Sequence, residues 1–156
     1  MERRFLQDKT KRSRFFLLLY SILMLTLLFG RSVIPEGNYW EQVKGNINWI
    51  PFRTIMLYVR LLKRTHSLTF IRLAVVNLIG NVVMFIPFGL LLPKAFDKLQ
   101  SGWRFFFSVL LGICLIEFVQ LFTLVGICDV DDLILNVAGA GIGFLILRVI
   151  ENYHAN

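Results

Sequence analysis

The chain is short of the residues that most often carry enzyme chemistry. Its two histidines, His66 and His154, lie in polar flanks, so neither a metal site nor a catalytic base follows from them. No nucleophile is paired with a histidine, and no glycine-rich loop is set to cradle a phosphate. The two cysteines, Cys114 and Cys128, fall on one expected helix about 21 Å apart at ~1.5 Å per residue. That excludes a bridge between them and leaves each as a small apolar filler. Acidic residues are also few, ten against seventeen Lys and Arg, for a net charge of +7. The excess does not imply nucleic acid, because the basic residues sit beside long apolar runs rather than along one polar face; anionic lipid headgroups are the simpler partner. No repeat and no low-complexity linker divides the 156 residues, so one domain is expected.

What the chain has in abundance is apolar sequence. A hydrophobic content of 56% with mean hydropathy +0.67 lies well above a soluble domain and points to a membrane protein. Four runs stand out, Phe15 to Gly30, Leu73 to Leu92, Phe105 to Cys128 and Leu133 to Ile150. Each is near the ~17–25 residues of a spanning helix, the shortest being extended by snorkelling of Arg14 and Arg31. The expected fold is therefore all-α, a polytopic four-helix transmembrane bundle without a sheet. A basic leader, residues 1–14, precedes the domain 15–150 and a short tail, 151–156. Nothing after Phe29 resembles an A-x-A cleavage site, so the first run reads as a signal anchor. Retention of the leader's Arg and Lys on the inner side places both termini of this multi-pass membrane protein in the cytoplasm. The connection from Arg31 to Arg72 then lies outside. Arg53 and Arg60 interrupt its apolar stretch near Ile50 to Leu62, and burying them would cost about 2.5–3.5 kcal/mol each. That stretch is expected to lie on the outer leaflet, with Trp40, Trp49 and Tyr58 as anchors.

Polar residues within the runs carry the functional information, because hydrocarbon penalises them unless they are partnered. Asn77 and Asn81 share a helix face beside Gly80, and a kink is expected at Pro87. Glu117 and Gln120 share a face of the third run. Asp132, Asn136, Gly139 and Gly143 form one stripe down the fourth. If helices three and four make a hairpin turning after Cys128, Glu117 lies eleven residues below the turn, about 16 Å deep, opposite Gly143. Gln120 then faces Gly139 or Ala140, with Asn81 as its neighbour. The result is a polar seam descending from an acidic rim of Asp129, Asp131 and Asp132.

The stretches "NLIGNVVMFIPFGLLLP", "IEFVQLF" and "DVDDLILNVAGAGIG", with "NWIPFRTI" upstream, resemble the VanZ-like membrane proteins. The group is named for a protein associated with low-level teicoplanin resistance. The resemblance covers most of Asn48 to Gly143. It implies a small polytopic protein of the bacterial cell membrane with no established reaction or cofactor. Matching positions are Pro51, Phe52, Arg53, Asn77, Asn81, Pro87, Gly89, Glu117, Gln120, Asp129, Asp132, Asn136 and Gly139. Some members carry an arginine shortly before the aspartates; this chain has "TLVGIC" there, so any such role falls to Arg53 or is absent.

Two uses of the acidic segment stand side by side. Its carboxylates can cap helix four, or they can bind a ligand or hard cation, with Asp129 and Asp132 as the metal candidates. Asn77, Asn81, Gln120 and Asn136 can join helices or line a ligand site together with Arg53. Glu117, ionisable near mid-bilayer, is the candidate catalytic group. The first functional expectation is a non-enzymatic envelope protein that lowers susceptibility to teicoplanin-type antibiotics. It would engage a lipid-linked cell-wall precursor or glycopeptide-like molecule at an outer polar cavity. The alternative is an intramembrane enzyme acting on a lipid or lipid-linked substrate. The 16 Å separation expected between Glu117 and the aspartates counts against one compact active site. No cofactor is implied, membrane lipids are the general partners, and a homo-oligomer is compatible with so narrow a bundle.

Overall fold

The computed structural model describes residues 2–30 and 37–155; Arg31, at the end of the first run, lies outside the described residues. The architecture is α-helical. Among the described residues, four helical stretches are long and apolar enough to cross a membrane, Thr10–Phe29, Leu68–Ala95, Gly102–Phe122 and Val130–Tyr153. The first belongs to α1 (Glu2–Phe29), which runs through the basic leader without a break. The connection after it holds α2 (Tyr39–Gly45) and α3 (Arg53–Arg64). The second span is built from α4 (Leu68–Val75), a π-helical turn at Val76–Gly80 and α5 (Asn81–Ala95). The third and fourth are α6 (Gly102–Phe122) and α7 (Val130–Ala155). Pro87, where a kink is expected, lies inside α5, and the helix continues through it and through Pro93. The π turn falls upstream, where its extra residue resets the face carried by Asn77 against that carried by Asn81.

The bundle is centred on α5 and α7, whose backbones approach through glycine. A Cβ on Gly139 would lie 2.0 Å from the Val82 carbonyl oxygen, and one on Gly143 would lie 2.1 Å from that of Ile86. From the other side, a Cβ on Gly89 would meet the Ala140 oxygen at 2.1 Å. Small residues replace hydrophobic transfer as the source of close packing here, because lipid tails are as apolar as the side chains. Gly143 therefore faces α5, and the expected contact with Glu117 is not made. α1 docks on α5 through Tyr20, whose hydroxyl donates to the Met84 carbonyl at 2.6 Å, and through Arg14, whose Nε donates to the Ala95 carbonyl at 2.9 Å.

The third run ends earlier than its hydropathy implies. α6 stops at Phe122, Leu124 takes a left-handed conformation with φ 57°, and the Val125 amide donates to the Gln120 carbonyl. The chain thus folds back along the last turn of α6 instead of climbing to Cys128. It then enters β2 (Cys128–Asp129), which pairs in parallel with β1 (Ile47–Asn48). This two-residue pairing is the departure from a fold without strands, and it ties the first connection to the α6–α7 turn.

Candidate functional site

Asp129 and Asp131 hold that tie together. Both Asp129 carboxylate oxygens accept from Asn48 Nδ2 at 3.1 Å, Oδ2 also accepts from Thr54 Oγ1 at 2.5 Å, and Oδ1 from the Asp131 amide at 2.9 Å. Three donors thus share the roughly four acceptor directions that a carboxylate offers. Asp131 is fully buried and faces the start of α3. Its Oδ1 accepts from the Phe52 amide at 2.5 Å, and its Oδ2 accepts from Thr54 and Ile55 amides at 2.7 and 3.0 Å. α3 has no capping side chain of its own, so a carboxylate 76 to 79 residues away satisfies its free N–H groups. The same contact holds Phe52 at φ 64°, a left-handed conformation that a bulky residue seldom adopts.

These contacts correct the picture of an acidic rim. Asp129 and Asp131 are buried anchors: Asp129 caps its own helix α7 through the Asp131 amide while binding Asn48 and Thr54, and Asp131 caps α3. Of the two metal candidates, Asp129 is engaged by Asn48, Thr54 and the Asp131 amide, and Asp132 by Asn81. Among the described residues, no group of three or more His, Cys, Asp or Glu is arranged to hold a metal ion.

Below the anchors lies a second group with acceptors to spare. The fold-back of the α6–α7 turn sets Asp132, and after it Asp129, close enough to the Glu117 carboxyl to interact with it electrostatically. The separation expected from a regular helix is thereby lost. Asn81 Nδ2 donates to Asp132 Oδ1 at 2.6 Å. Asn136, one turn beyond Asp132 on the same face of α7, is only 6% exposed, and Glu117 is 7% exposed. Glu117 Oε2 and Asn136 Oδ1 are buried without a hydrogen-bond partner. Tyr58 of α3 borders the group: burial raises its phenol above the ordinary range, and the charges of Asp132 and then Asp129 add to that effect. Cys128 also sits at this level. Burial, followed by Glu117, Cys114 and Asp129, raises its thiol above the ordinary range.

The remaining candidates are dispersed. Asn77 Nδ2 donates to the Leu73 carbonyl of its own helix at 2.9 Å. Gln120 Nε2 donates to the Leu28 carbonyl at 3.1 Å and so closes the end of α1, whereas Asn81, its expected neighbour, is bonded to Asp132. Arg53 is exposed on the first turn of α3. Asn48, Thr54 and Tyr58 are participants that spacing arguments miss. The signal available for the first two is their type, since Asn just ahead of an amphipathic helix and Thr in its first turn commonly bond near its start.

A family model described as VanZ/LLP1 matches residues 16–151. The chain belongs to the VanZ/LLP1 family. A curated relative, Protein VanZ of Enterococcus faecium, is 37% identical over 82 residues, covering 51% of this chain and 48% of that protein. This VanZ/LLP1 chain thus aligns with about half of that relative's length. No solved structure matches it. The matched region contains both features of this VanZ/LLP1 fold described above, the buried anchors and the group around Glu117.

Proposed function

We propose that this VanZ/LLP1 protein lowers bacterial susceptibility to teicoplanin-type glycopeptides by engaging a lipid-linked cell-wall precursor or glycopeptide-like molecule at the group formed by Glu117, Asp132 and Asn136. The observation that carries this is the pair of buried oxygens, Glu117 Oε2 and Asn136 Oδ1, left without donors beside a second carboxyl. Among the described residues no Lys, Arg or His pairs with Glu117 or Asp132. Buried acceptors without donors are costly, about 1–3 kcal/mol each, and a ligand rich in N–H and O–H groups removes that cost on binding. Peptide and sugar portions of such molecules supply donors of that kind. Substituting Glu117→Gln or Asp132→Asn is expected to leave the amount of membrane protein unchanged and to abolish protection. Minimum inhibitory concentrations of teicoplanin, compared at matched protein levels in a susceptible Gram-positive host, check this. Protection equal to the parent's in both variants would exclude this group as the site.

The second reading, an intramembrane enzyme acting on a lipid-linked substrate with Glu117 as general acid or base, gains from one observation. Glu117 and Asp132 interact electrostatically, which weakens the distance argument against a compact site. Product formation from a lipid-linked precursor by the purified protein, lost in Glu117→Gln, would favour it. Both readings place the group toward the outer face, with both termini cytoplasmic. On that orientation, Asn38→Cys in a background without Cys114 and Cys128 is labelled by an impermeant reagent in intact cells. Labelling only after permeabilisation would reverse the topology.

A further inference from the structure

At the opposite end of α6 and α7 the two helices part around an apolar groove of about 210 Å³, lined by Gly102, Phe105 and Val109 from α6 and Gly141, Phe144 and Leu145 from α7. Missing side chains hollow it out. A Cβ on Gly141 would find no atom within 4 Å, and one on Gly102 would only touch the Phe144 ring at 4.0 Å. Its floor is firm, because Phe105 is buried and its ring stacks on Phe144 at a centroid distance of 4.5 Å. Leu145 is exposed, so the groove opens sideways toward the lipid. From Gly102 to Val109 it follows α6 for about 10 Å, enough for a segment of an acyl chain.

The mouth of the groove is basic. Arg148 lies one turn beyond Phe144, with its guanidinium 5.0 Å from the centre of that ring. It is held there by the Gln100 carbonyl and by an ion pair with Glu151 at 3.0 Å. Lys94, Lys98 and Arg104 are exposed at the same end, against Asp97 and Glu151 as the acids. An acyl chain gains little by transfer from bilayer to groove, because both are apolar. Selection must therefore come from the charged mouth, and a cluster of cations at the headgroup level selects an anion. We propose that this groove is a binding site for an anionic phospholipid, with one acyl chain between α6 and α7 and the headgroup phosphate at Arg148. The site is separate from the Glu117 group and does not depend on its function.

The experiment uses the full-length protein in nanodiscs of equimolar phosphatidylglycerol and phosphatidylethanolamine, with retained lipids counted by native mass spectrometry. The parent is expected to retain phosphatidylglycerol in preference. Gly141→Leu fills the groove from a position with open space and should lose the retained lipid. Arg148→Gln should keep a lipid but lower the preference about fivefold, the effect of one basic residue near the surface. Gly112→Leu is the control, since a Cβ there also meets open space but the residue is not part of the groove; its retention should match the parent. If Gly141→Leu fails to fold, the Arg148→Gln comparison decides. Equal phosphatidylglycerol preference in the parent and Arg148→Gln, or undiminished retention in folded Gly141→Leu, overturns the proposal and leaves annular lipid only.

Discussion

Replacing Gly139 with leucine is expected to abolish accumulation of folded protein, and even alanine there is expected to destabilise it by about 3 kcal/mol or more. The first added carbon would sit 2.0 Å from the Val82 carbonyl oxygen and 2.8 Å from its carbonyl carbon. Both atoms are backbone of α5, so no rotamer change relieves the overlap. α5 and α7 would have to separate along the whole crossing, which also includes Gly143 against Ile86 and Gly89 against Ala140. Recovery in the monodisperse peak of a size-exclusion column, and the melting temperature in detergent, measure the effect. Gly141→Leu, two residues away but pointing into open space, should behave like the parent in both measurements. Equal recovery of Gly139→Leu and Gly141→Leu would remove the backbone contact from the account.

Asp131→Ala is expected to release α3 from the bundle. Three amides, those of Phe52, Thr54 and Ile55, lose the acceptor that a fully buried carboxylate gives them. At about 1–3 kcal/mol per buried orphan group, the total exceeds what this junction can hold. The left-handed Phe52 would relax as well, since strain of that kind persists only where surrounding contacts enforce it. Asp131→Asn keeps one oxygen but turns an NH₂ toward amide donors, so it should fall between alanine and parent. Hydrogen exchange at residues 52, 54 and 55 should accelerate steeply in Asp131→Ala, with the centre of α5 unchanged. Parent-like protection at those amides would mean that α3 is held by something other than this carboxylate.

The four spans were legible in the sequence because runs such as Leu73 to Leu92 and Leu133 to Ile150 have few alternatives to crossing a membrane. Their neighbours were less legible. Gly139 and Gly143 clearly marked a close-packed face, but adjacency in the chain favoured α6 as the partner, and the structure gives α5, where Gly89 lets the backbones meet. The depth of Glu117 was misjudged for a local reason. "TLVGIC" is apolar enough to prolong a helix, and nothing in hydropathy shows that Leu124 turns left-handed and sends the chain back toward Gln120. One departure from helical geometry thus brought Asp132 within electrostatic reach of Glu117. The capping chemistry of the aspartates was readable from residue type; that Asp131 caps α3 was not, because the partner lies more than seventy residues away. Asn77, Asn81 and Gln120 shared expected faces, yet each found a different acceptor, since helix rotation and the π turn at Val76–Gly80 decide which carbonyl or carboxylate is within reach.

Asp129 and Asp131 are anchors, whereas Glu117 and Asp132 are proposed to engage a ligand. Binding measured directly tests that division. Calorimetric titration of teicoplanin, and separately of a lipid-linked cell-wall precursor, would be carried out on nanodiscs holding the parent, Glu117→Gln or Asp132→Asn, with all three shown to be folded by their melting curves. The account predicts saturable binding of at least one of the two molecules by the parent and its loss in both variants. Undiminished binding by Glu117→Gln and Asp132→Asn, or no binding of either molecule by the parent, would contradict it.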